Sequence, residues 1–217
     1  IILHMKFADF YDLVPKIKNL PLPGQESHYK MAPLTRMETL DTINIEDKNP
    51  RRAGVVSLFY PDDALKTRLL LILRKTYNGV HSNQVGFPGG KVELSDKNIE
   101  ETALRETWEE VGVSPNKIEL IKRMSEIYIP PSNFLVQPFV GISTEKLEFT
   151  LQEDEVEEII EVSFSDFMND KALFEENLTT SYAKNINVPA FKLNNYTVWG
   201  ATAMMLNEVK EMFKKLI

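Results

Sequence analysis

The stretch from Gly89 to Val113 constrains this chain more than any other part of its sequence. It begins with a glycine pair, continues through a short polar segment at residues 91–96, and ends in an amphipathic run that stops at Gly112. A glycine placed just after the last periodic residue is a helix-stop signal. The pattern therefore predicts a glycine turn followed by a helix, with Ser95 or Asp96 as its N-cap.

Three glutamates near the end of this helix, Glu106, Glu109 and Glu110, are predicted to share an exposed polar face. An α-helix has 3.6 residues per turn, so positions three and four apart lie on one side. Their mutual repulsion and the helix dipole both disfavour this arrangement unless a cation offsets them. We expect the three carboxylates to bind Mg²⁺ or Mn²⁺, which prefer oxygen ligands. A merely solvated acidic surface is the alternative.

The opposite side of the predicted helix is apolar and is expected to face a core. Its members are Leu104, Thr107, Trp108 and Val111.

The order and spacing of these residues resemble the signature of the Nudix hydrolase family. The family's box is matched here by Gly90, Arg105, Glu106, Glu109, Glu110, Gly112 and Val113. Two features depart from it. Asp96 stands in place of a glutamate and lies one residue further from Arg105 than usual, and Thr107 replaces an aliphatic residue. The family pattern implies a structural carboxylate partner for Arg105, and both Glu93 and Asp96 are candidates.

A second signature precedes the box and resembles that of the coenzyme A pyrophosphatase branch of the family. It comprises the apolar run ending at Arg74 and the segment Phe87-Pro88-Gly89-Gly90, with departures at Lys75, Gly79 and Asn83. On this resemblance Arg74, Lys75 and His81 supply cationic donors to substrate phosphate. Gly89 and Gly90 have no Cβ, so their backbone can approach the phosphates. The alternatives are a surface charge for Arg74 and a turn-stabilising hydrogen bond for His81.

The resemblances imply an α/β (α+β) Nudix fold, in which a mixed β-sheet core is sandwiched between α-helices. They imply metal-dependent hydrolysis of a nucleoside diphosphate linkage. The favoured substrate is coenzyme A or acyl-CoA, giving 3′,5′-ADP and 4′-phosphopantetheine. A Nudix pyrophosphatase for ADP-ribose, a dinucleotide or a nucleoside triphosphate stays open. So does a non-catalytic Nudix module that senses a nucleotide.

Hydrolysis also requires a base that accepts the proton of the attacking water. In the Nudix family this base varies and often lies in a loop outside the box. Asp154 and Glu155, in the acidic segment before an apolar run, are the candidates, and Glu109 is an alternative. Arg105 completes the expected catalytic set. A solvated acidic loop at residues 153–158 is the competing interpretation.

Composition narrows the classes of partner. The 217 residues are 43% hydrophobic, which suits a single domain over residues 1–217 with a full core. A net charge of −7 argues against bulk binding of nucleic acid, and the absence of cysteine excludes thiol chemistry. No apolar run approaches the ~20 residues of a membrane span, and no signal peptide is recognisable. We expect a cytoplasmic enzyme with a small-molecule substrate and no nucleic-acid or membrane partner; a homodimer stays open.

Apolar periodicity predicts the elements around the box. Residues 1–50 are expected to form an N-terminal helix (5–20) and an extended arm (25–50), and residues 51–217 the core. Strands are predicted at 54–60, 68–74, 117–129, 134–142, 158–164, 189–193 and 196–198, with a C-terminal helix from Gly200. Tyr128 and Phe134 lie in predicted strands, where core packing is the expectation and stacking on adenine the alternative.

Overall fold

A mixed β-sheet forms the centre of the structure, a computed structural model that describes residues 5–33, 36–37, 42–76, 83–178 and 186–217. Eight strands belong to this sheet within those residues. They are β1 Arg51–Pro61, β2 Thr67–Arg74, β3 Val85–Gly86, β4 Gly89–Lys91, β5 Glu119–Arg123, β6 Ile127–Ile129, β7 Phe134–Ile142 and β8 Val156–Ser163.

The strand β1 organises this sheet. It pairs antiparallel with β2 and β4 and parallel with β7, in a register that places Arg51 opposite Phe134. The strands β5 and β6 both pair antiparallel with β7, and β8 pairs with β2. Across the part of the sheet that carries the site, the neighbours therefore run β4, β1, β7, β6. The mixed sheet expected from the sequence is confirmed.

A smaller antiparallel sheet follows, made of β9 Leu173–Leu178, β10 Ile186–Leu193 and β11 Tyr196–Trp199. The pairing of β10 with β11 matches the predicted final strand pair, whereas β9 was not predicted. The α-helices that the described residues define from end to end are α1 Phe7–Tyr11, α2 Val14–Asn19, α3 Gln25–Tyr29, α4 Ile99–Val111, α5 Phe164–Met168 and α6 Gly200–Lys214.

The two faces of the central sheet are covered by different helices. Val56 and Leu58 of β1 pack with Ala103 and Val111 of α4 on one face. Phe59, which points to the other face, packs with aromatic residues of α1 and α6. Alternate residues of a strand point to opposite faces, so this strand is apolar on both sides. The result is the predicted sheet sandwiched between helices.

The N-terminal region differs from the prediction. The expected helix over residues 5–20 is two short helices, α1 and α2, and Pro15 lies in the first turn of α2. The expected extended arm contains helix α3 and a 3₁₀ turn, Glu46–Lys48. The buried Ser27 and His28 of α3 make hydrogen bonds with α6, and this long-range packing has no local sequence signal. The helices described here are too short or too polar to cross a membrane.

The single strand predicted at 117–129 is also divided. The 3₁₀ turn Pro115–Lys117 precedes β5, and residues 124–126 separate β5 from β6. At this break the buried side chain of Gln137 donates to the Met124 carbonyl at 2.7 Å. The Met124 amide still donates to the Pro138 carbonyl, but Pro138 has no N–H to donate back, and the Gln137 side chain supplies that donor.

Candidate active site

Helix α4 carries the acidic residues, and its ends are set by two local features. The side chain of Asn98 accepts a hydrogen bond from the Glu101 amide at 2.8 Å, so Asn98 is the N-cap, and the prediction of Ser95 or Asp96 was wrong. At the other end Gly112 adopts a left-handed conformation with φ of 76°, which favours glycine. Thr107 and Val111 are buried as predicted, whereas Trp108 is 55% exposed and does not face the core.

Asp96 has a different role, since it binds the side chain of Arg105. The Arg105 Nε donates to Asp96 Oδ1 at 2.8 Å, and Nη2 donates to Oδ2 at 2.9 Å. The Glu93 side chain takes no part in this pair, although the Glu93 backbone amide donates to Asp96. The Arg105 guanidinium holds the pKa of Asp96 well below its usual range. Asp96 is therefore the carboxylate partner that the sequence left open.

The same guanidinium contacts two of the three predicted metal ligands. Arg105 Nη1 donates to Glu106 Oε1 at 3.0 Å and to Glu109 Oε2 at 2.8 Å, and Nη2 donates to the Lys91 carbonyl at 3.1 Å. Arg105 thereby links α4 to β4 and holds one oxygen of each glutamate.

Glu106 lies directly against the backbone of β4. A Cβ on Gly90 would overlap the Glu106 carboxylate, so a larger residue here would displace that side chain. Burial raises the pKa of Glu106, and the charges of Glu109 and Glu155 act in the same direction. The carboxylate is thus held where additional negative charge is unfavourable and a cation would be favourable.

Glu110 is buried, with only 1% exposure, so its expected place on an exposed face was wrong. Its Oε2 accepts from the Gly89 amide at 2.8 Å, and its Oε1 lies 3.2 Å from Arg74 Nη1. Burial raises the pKa of Glu110 to about 7 despite these two partners, and Glu106 and Glu155 add to the rise. Glu109, in contrast, has a side chain that is 48% exposed.

A cavity of about 400 Å³ opens beside these carboxylates, between the sheet and the N-terminal end of α6. Its polar end is bordered by Arg74, Gly89, Gly90, Glu106 and Glu155. Its remaining walls are mostly apolar and include Val55, Phe134 and Val136 from the sheet. The cavity therefore joins an acidic end to an apolar cleft.

The structure separates the two loop candidates for the base. Glu155 borders the cavity, and its charge contributes to the raised pKa values of Glu106 and Glu110. Both residues are exposed in one turn, but Asp154 does not border the cavity. The turn is fixed to β2 by a hydrogen bond from the Lys75 amide to the Glu155 carbonyl at 2.8 Å.

The predicted phosphate-binding residues lie in different places. Arg74 borders the cavity, whereas the Lys75 ammonium does not and lies 3.0 Å from Glu157. His81 lies outside the described residues. Of the two predicted aromatics, Phe134 borders the cavity, whereas Tyr128 is buried with its hydroxyl 2.9 Å from Asn133.

The donor set fits a hard divalent cation. Among the described residues no three acidic or histidine side chains converge closely on one point. Arg105 and Arg74 contact oxygens of Glu106 and Glu110. Even so, Glu106 borders the acidic end of the cavity, and the buried Glu110 lies behind it against the Gly89 amide. Both carboxylates have raised pKa values, and Gly90 leaves room for Glu106. Hard oxygen donors of this kind suit Mg²⁺ or Mn²⁺.

Sequence reasoning missed several residues of the cavity. Arg36 precedes the core in sequence, and Trp199, Ala201, Thr202 and Met205 come from the start of α6 and the residue before it. Nothing in the sequence assigned these residues a role in the cavity, because tertiary packing brings them to it. The Thr202 hydroxyl donates to the Val85 carbonyl at 3.0 Å and thereby fixes α6 beside β3.

Comparison with known proteins agrees with this geometry. The NUDIX domain family model matches residues 48–182. The peroxisomal coenzyme A diphosphatase ndx-8 of Caenorhabditis elegans is 30% identical over 174 residues, covering 79% of this chain and 73% of that protein. The uncharacterized Nudix hydrolase NudL of Citrobacter koseri is 32% identical and covers 81% and 90%.

Solved structures support the fold. A Nudix hydrolase from M. smegmatis, RenU, superposes with a TM-score of 0.53 over 77% of this chain and 88% of that one, at 13% identity. This chain therefore belongs to the Nudix hydrolase family, whose enzymes use divalent metal ions to hydrolyse nucleoside diphosphate derivatives.

Proposed function

We propose that this enzyme hydrolyses the diphosphate linkage of coenzyme A or an acyl derivative, giving 3′,5′-ADP and 4′-phosphopantetheine. The observation that carries the proposal is the cavity, in which an acidic end with Glu106 and Glu155 continues into an apolar cleft. Such a cavity suits a diphosphate joined to a large, partly apolar group. The similarity to a coenzyme A diphosphatase and the signature before the box support the same substrate.

The acidic residues would hold the metal. Glu106 and Glu110 are the principal ligands in this proposal, and Glu109 is an outer one because its side chain is half exposed. Bound Mg²⁺ or Mn²⁺ would neutralise phosphate charge and lower the pKa of a coordinated water. Arg105 orients Glu106 and Glu109 through its two hydrogen bonds to them, and it is itself fixed by Asp96.

The remaining groups position the substrate and move the proton. Arg74 and the backbone of Gly89 and Gly90 lie where the diphosphate would approach the acidic end. Glu155 accepts the proton as water attacks phosphorus, and the bond from that phosphorus to the bridging oxygen breaks. The bridging oxygen leaves on the other phosphate. The expected phosphate contact of His81 remains part of the proposal, whereas the Lys75 ammonium contacts Glu157 away from the cavity.

A product assay tests the proposed function. Coenzyme A, acetyl-CoA, ADP-ribose, a diadenosine polyphosphate and a nucleoside triphosphate are each incubated with enzyme and Mg²⁺ or Mn²⁺, and the products are separated by chromatography. We expect the highest kcat/KM for coenzyme A or its acyl derivative, with 3′,5′-ADP as a product. A higher kcat/KM for ADP-ribose or for the dinucleotide would overturn the proposal.

A further inference from the structure

Resting on the proposed function, we propose that Arg36 is a specificity-determining residue that binds a second anionic group of the substrate. This group is distinct from the scissile diphosphate and lies at the opposite end of the cavity. In a coenzyme A-like substrate the matching group is the phosphate on the 3′ position of the ribose.

The position of Arg36 is the first support. Arg36 borders the cavity, and its Nη2 donates to the Tyr128 carbonyl on β6 at 3.3 Å. Glu106, at the acidic end, lies against Gly90 on β4. The strands run in the order β4, β1, β7, β6, so three strand spacings, about 14 Å, separate the two ends. A ligand that reaches both must cross β1 and β7.

The surface between the two ends is the second support. Val55 of β1 and Val136 of β7 border the cavity there, and Met205 of α6 borders it as well. The ring of Phe134 is also part of this surface, and the Arg51 guanidinium lies over it, 4.1 Å from its centroid. Apolar side chains and an aromatic ring favour a flat or apolar group. The complementary ligand therefore carries negative charge at both ends and a nucleoside between them.

The placement of the other cations is the third support. Arg74 lies at the acidic end beside Glu110, and Lys75 contacts Glu157 away from the cavity. Lys91 borders the cavity but belongs to β4, on the acidic side. Among the described cations that border the cavity, Arg36 is thus the one on the β6 side. A guanidinium is well suited to phosphate because it can donate two parallel hydrogen bonds.

This role distinguishes substrates within the proposed class. Coenzyme A and dephospho-coenzyme A share the scissile diphosphate and differ in the 3′-phosphate. Loss of one charge-assisted contact costs at least about tenfold in affinity. The wild-type enzyme should therefore prefer coenzyme A by about tenfold or more in kcat/KM, and Arg36→Gln should reduce that preference to about twofold or less.

The experiment measures kcat and KM for both substrates in the wild-type enzyme, Arg36→Gln, Arg36→Lys and Lys30→Gln. We expect Arg36→Gln to raise KM for coenzyme A and to leave dephospho-coenzyme A nearly unchanged, which also shows that the variant is folded. Arg36→Lys should recover part of the preference. Lys30→Gln removes an exposed cation of the same N-terminal region, paired with Glu211, and should keep the wild-type preference.

A binding measurement distinguishes a failure of the Arg36 role from a failure of the proposed function. Calorimetry of 3′,5′-ADP and 5′-AMP should show that Arg36→Gln weakens the first by about tenfold and the second very little. If the wild-type enzyme cleaves neither coenzyme A nor its dephospho form but cleaves another diphosphate, the proposed function fails. If it prefers coenzyme A and Arg36→Gln keeps that preference in full, the role of Arg36 is overturned while the proposed function stands.

Discussion

Arg105 is fixed by Asp96 through two parallel hydrogen bonds, from Nε to Oδ1 at 2.8 Å and from Nη2 to Oδ2 at 2.9 Å. The remaining guanidinium nitrogen, Nη1, donates to Glu106 and Glu109. An aspartate outside the catalytic helix therefore sets the position of two carboxylates on it. Arg105 acts through these contacts, which makes it a positioning residue in the proposed mechanism.

Replacing Asp96 by asparagine should lower both stability and turnover. We expect a loss of about 1.5–3 kcal/mol in the free energy of unfolding at pH 7, because a charge-assisted pair is removed from a partly buried arginine. Turnover should fall as well, since Arg105 would no longer be held beside Glu106. Urea denaturation and steady-state kinetics measure the two effects. Glu93→Gln is the matched control, because the exposed Glu93 side chain is not part of the pair.

The stability effect of Asp96 should depend on pH in a defined direction. The folded-state pKa of Asp96 is lowered below its ordinary value of 3.8, chiefly by its hydrogen bonds from Arg105. Ionised Asp96 therefore contributes its full stabilisation at pH values above 3.8. This contribution to the free energy of unfolding is lost as the pH falls toward the folded-state pKa. The difference between wild type and Asp96→Asn should be constant from about pH 5 to 7 and shrink by pH 3. A difference that grows on acidification would contradict this account.

Glu110→Gln should abolish most activity and leave the fold intact. The amide keeps the volume of the side chain and an oxygen that can accept from the Gly89 amide. Its NH2 group replaces the oxygen that accepts from Arg74, whose partly exposed guanidinium can donate to water instead. The substitution removes a carboxylate whose ionisation is disfavoured by burial, so the metal-free protein should lose little stability. The stabilisation of wild type by added Mn²⁺, seen as a rise in Tm, should largely disappear. Wild-type turnover in both Glu110→Gln and Glu106→Gln would refute the metal site.

Gly90→Ala tests the close approach of Glu106 to β4. The added methyl group would overlap the Glu106 carboxylate, which must then move away from the acidic end of the cavity. We expect Mn²⁺ affinity to fall by about tenfold or more while the protein remains folded, as for loss of one charged ligand contact. Gly86→Ala is the control, since a Cβ at Gly86 has no atom within 4 Å. Equal Mn²⁺ affinity in Gly90→Ala and Gly86→Ala would show that this contact does not matter.

Features encoded by local periodicity were predictable from the sequence. The helix α4 was expected from its acidic and apolar faces. The strand β7 begins and ends at the predicted residues, and a Pro-Pro-Ser-Asn turn fixes its start. Spacing alone could not distinguish a metal-binding set of glutamates from a solvated acidic helix face. The family resemblance supplied the metal-binding role. Sequence also narrowed the partner of Arg105 to two carboxylates, and geometry selected Asp96.

Features that depend on distant packing were not predictable. Trp108 lies on the apolar side of α4, but the sheet covers only part of that side and leaves Trp108 exposed. The sequence cannot show which part is covered. The helix α3 forms where the sequence is polar, and its His28 contacts the buried Glu208 of α6 at 3.1 Å. Arg36 reaches the cavity from outside the matched domain, so no motif could indicate it.

Glu155 and Asp154 are adjacent carboxylates that the structure places differently, so their amide variants form a matched pair. Both side chains are exposed, but Glu155 borders the cavity and its charge raises the pKa values of Glu106 and Glu110, whereas Asp154 does not border it. If Glu155 accepts the proton of the attacking water, Glu155→Gln should lower kcat by about 10²–10⁴-fold, with little change in substrate KM or Mn²⁺ affinity. Asp154→Asn removes the same charge one residue away and should keep kcat within about threefold, since that carboxylate does not border the cavity and solvent screens its charge. The acid limb of the pH–rate profile should change in Glu155→Gln alone, because only that variant removes the proposed base.

If both variants keep near-wild-type kcat, Glu109 becomes the better candidate for the base. A parallel loss of Mn²⁺ affinity in Glu155→Gln would instead make Glu155 a metal ligand.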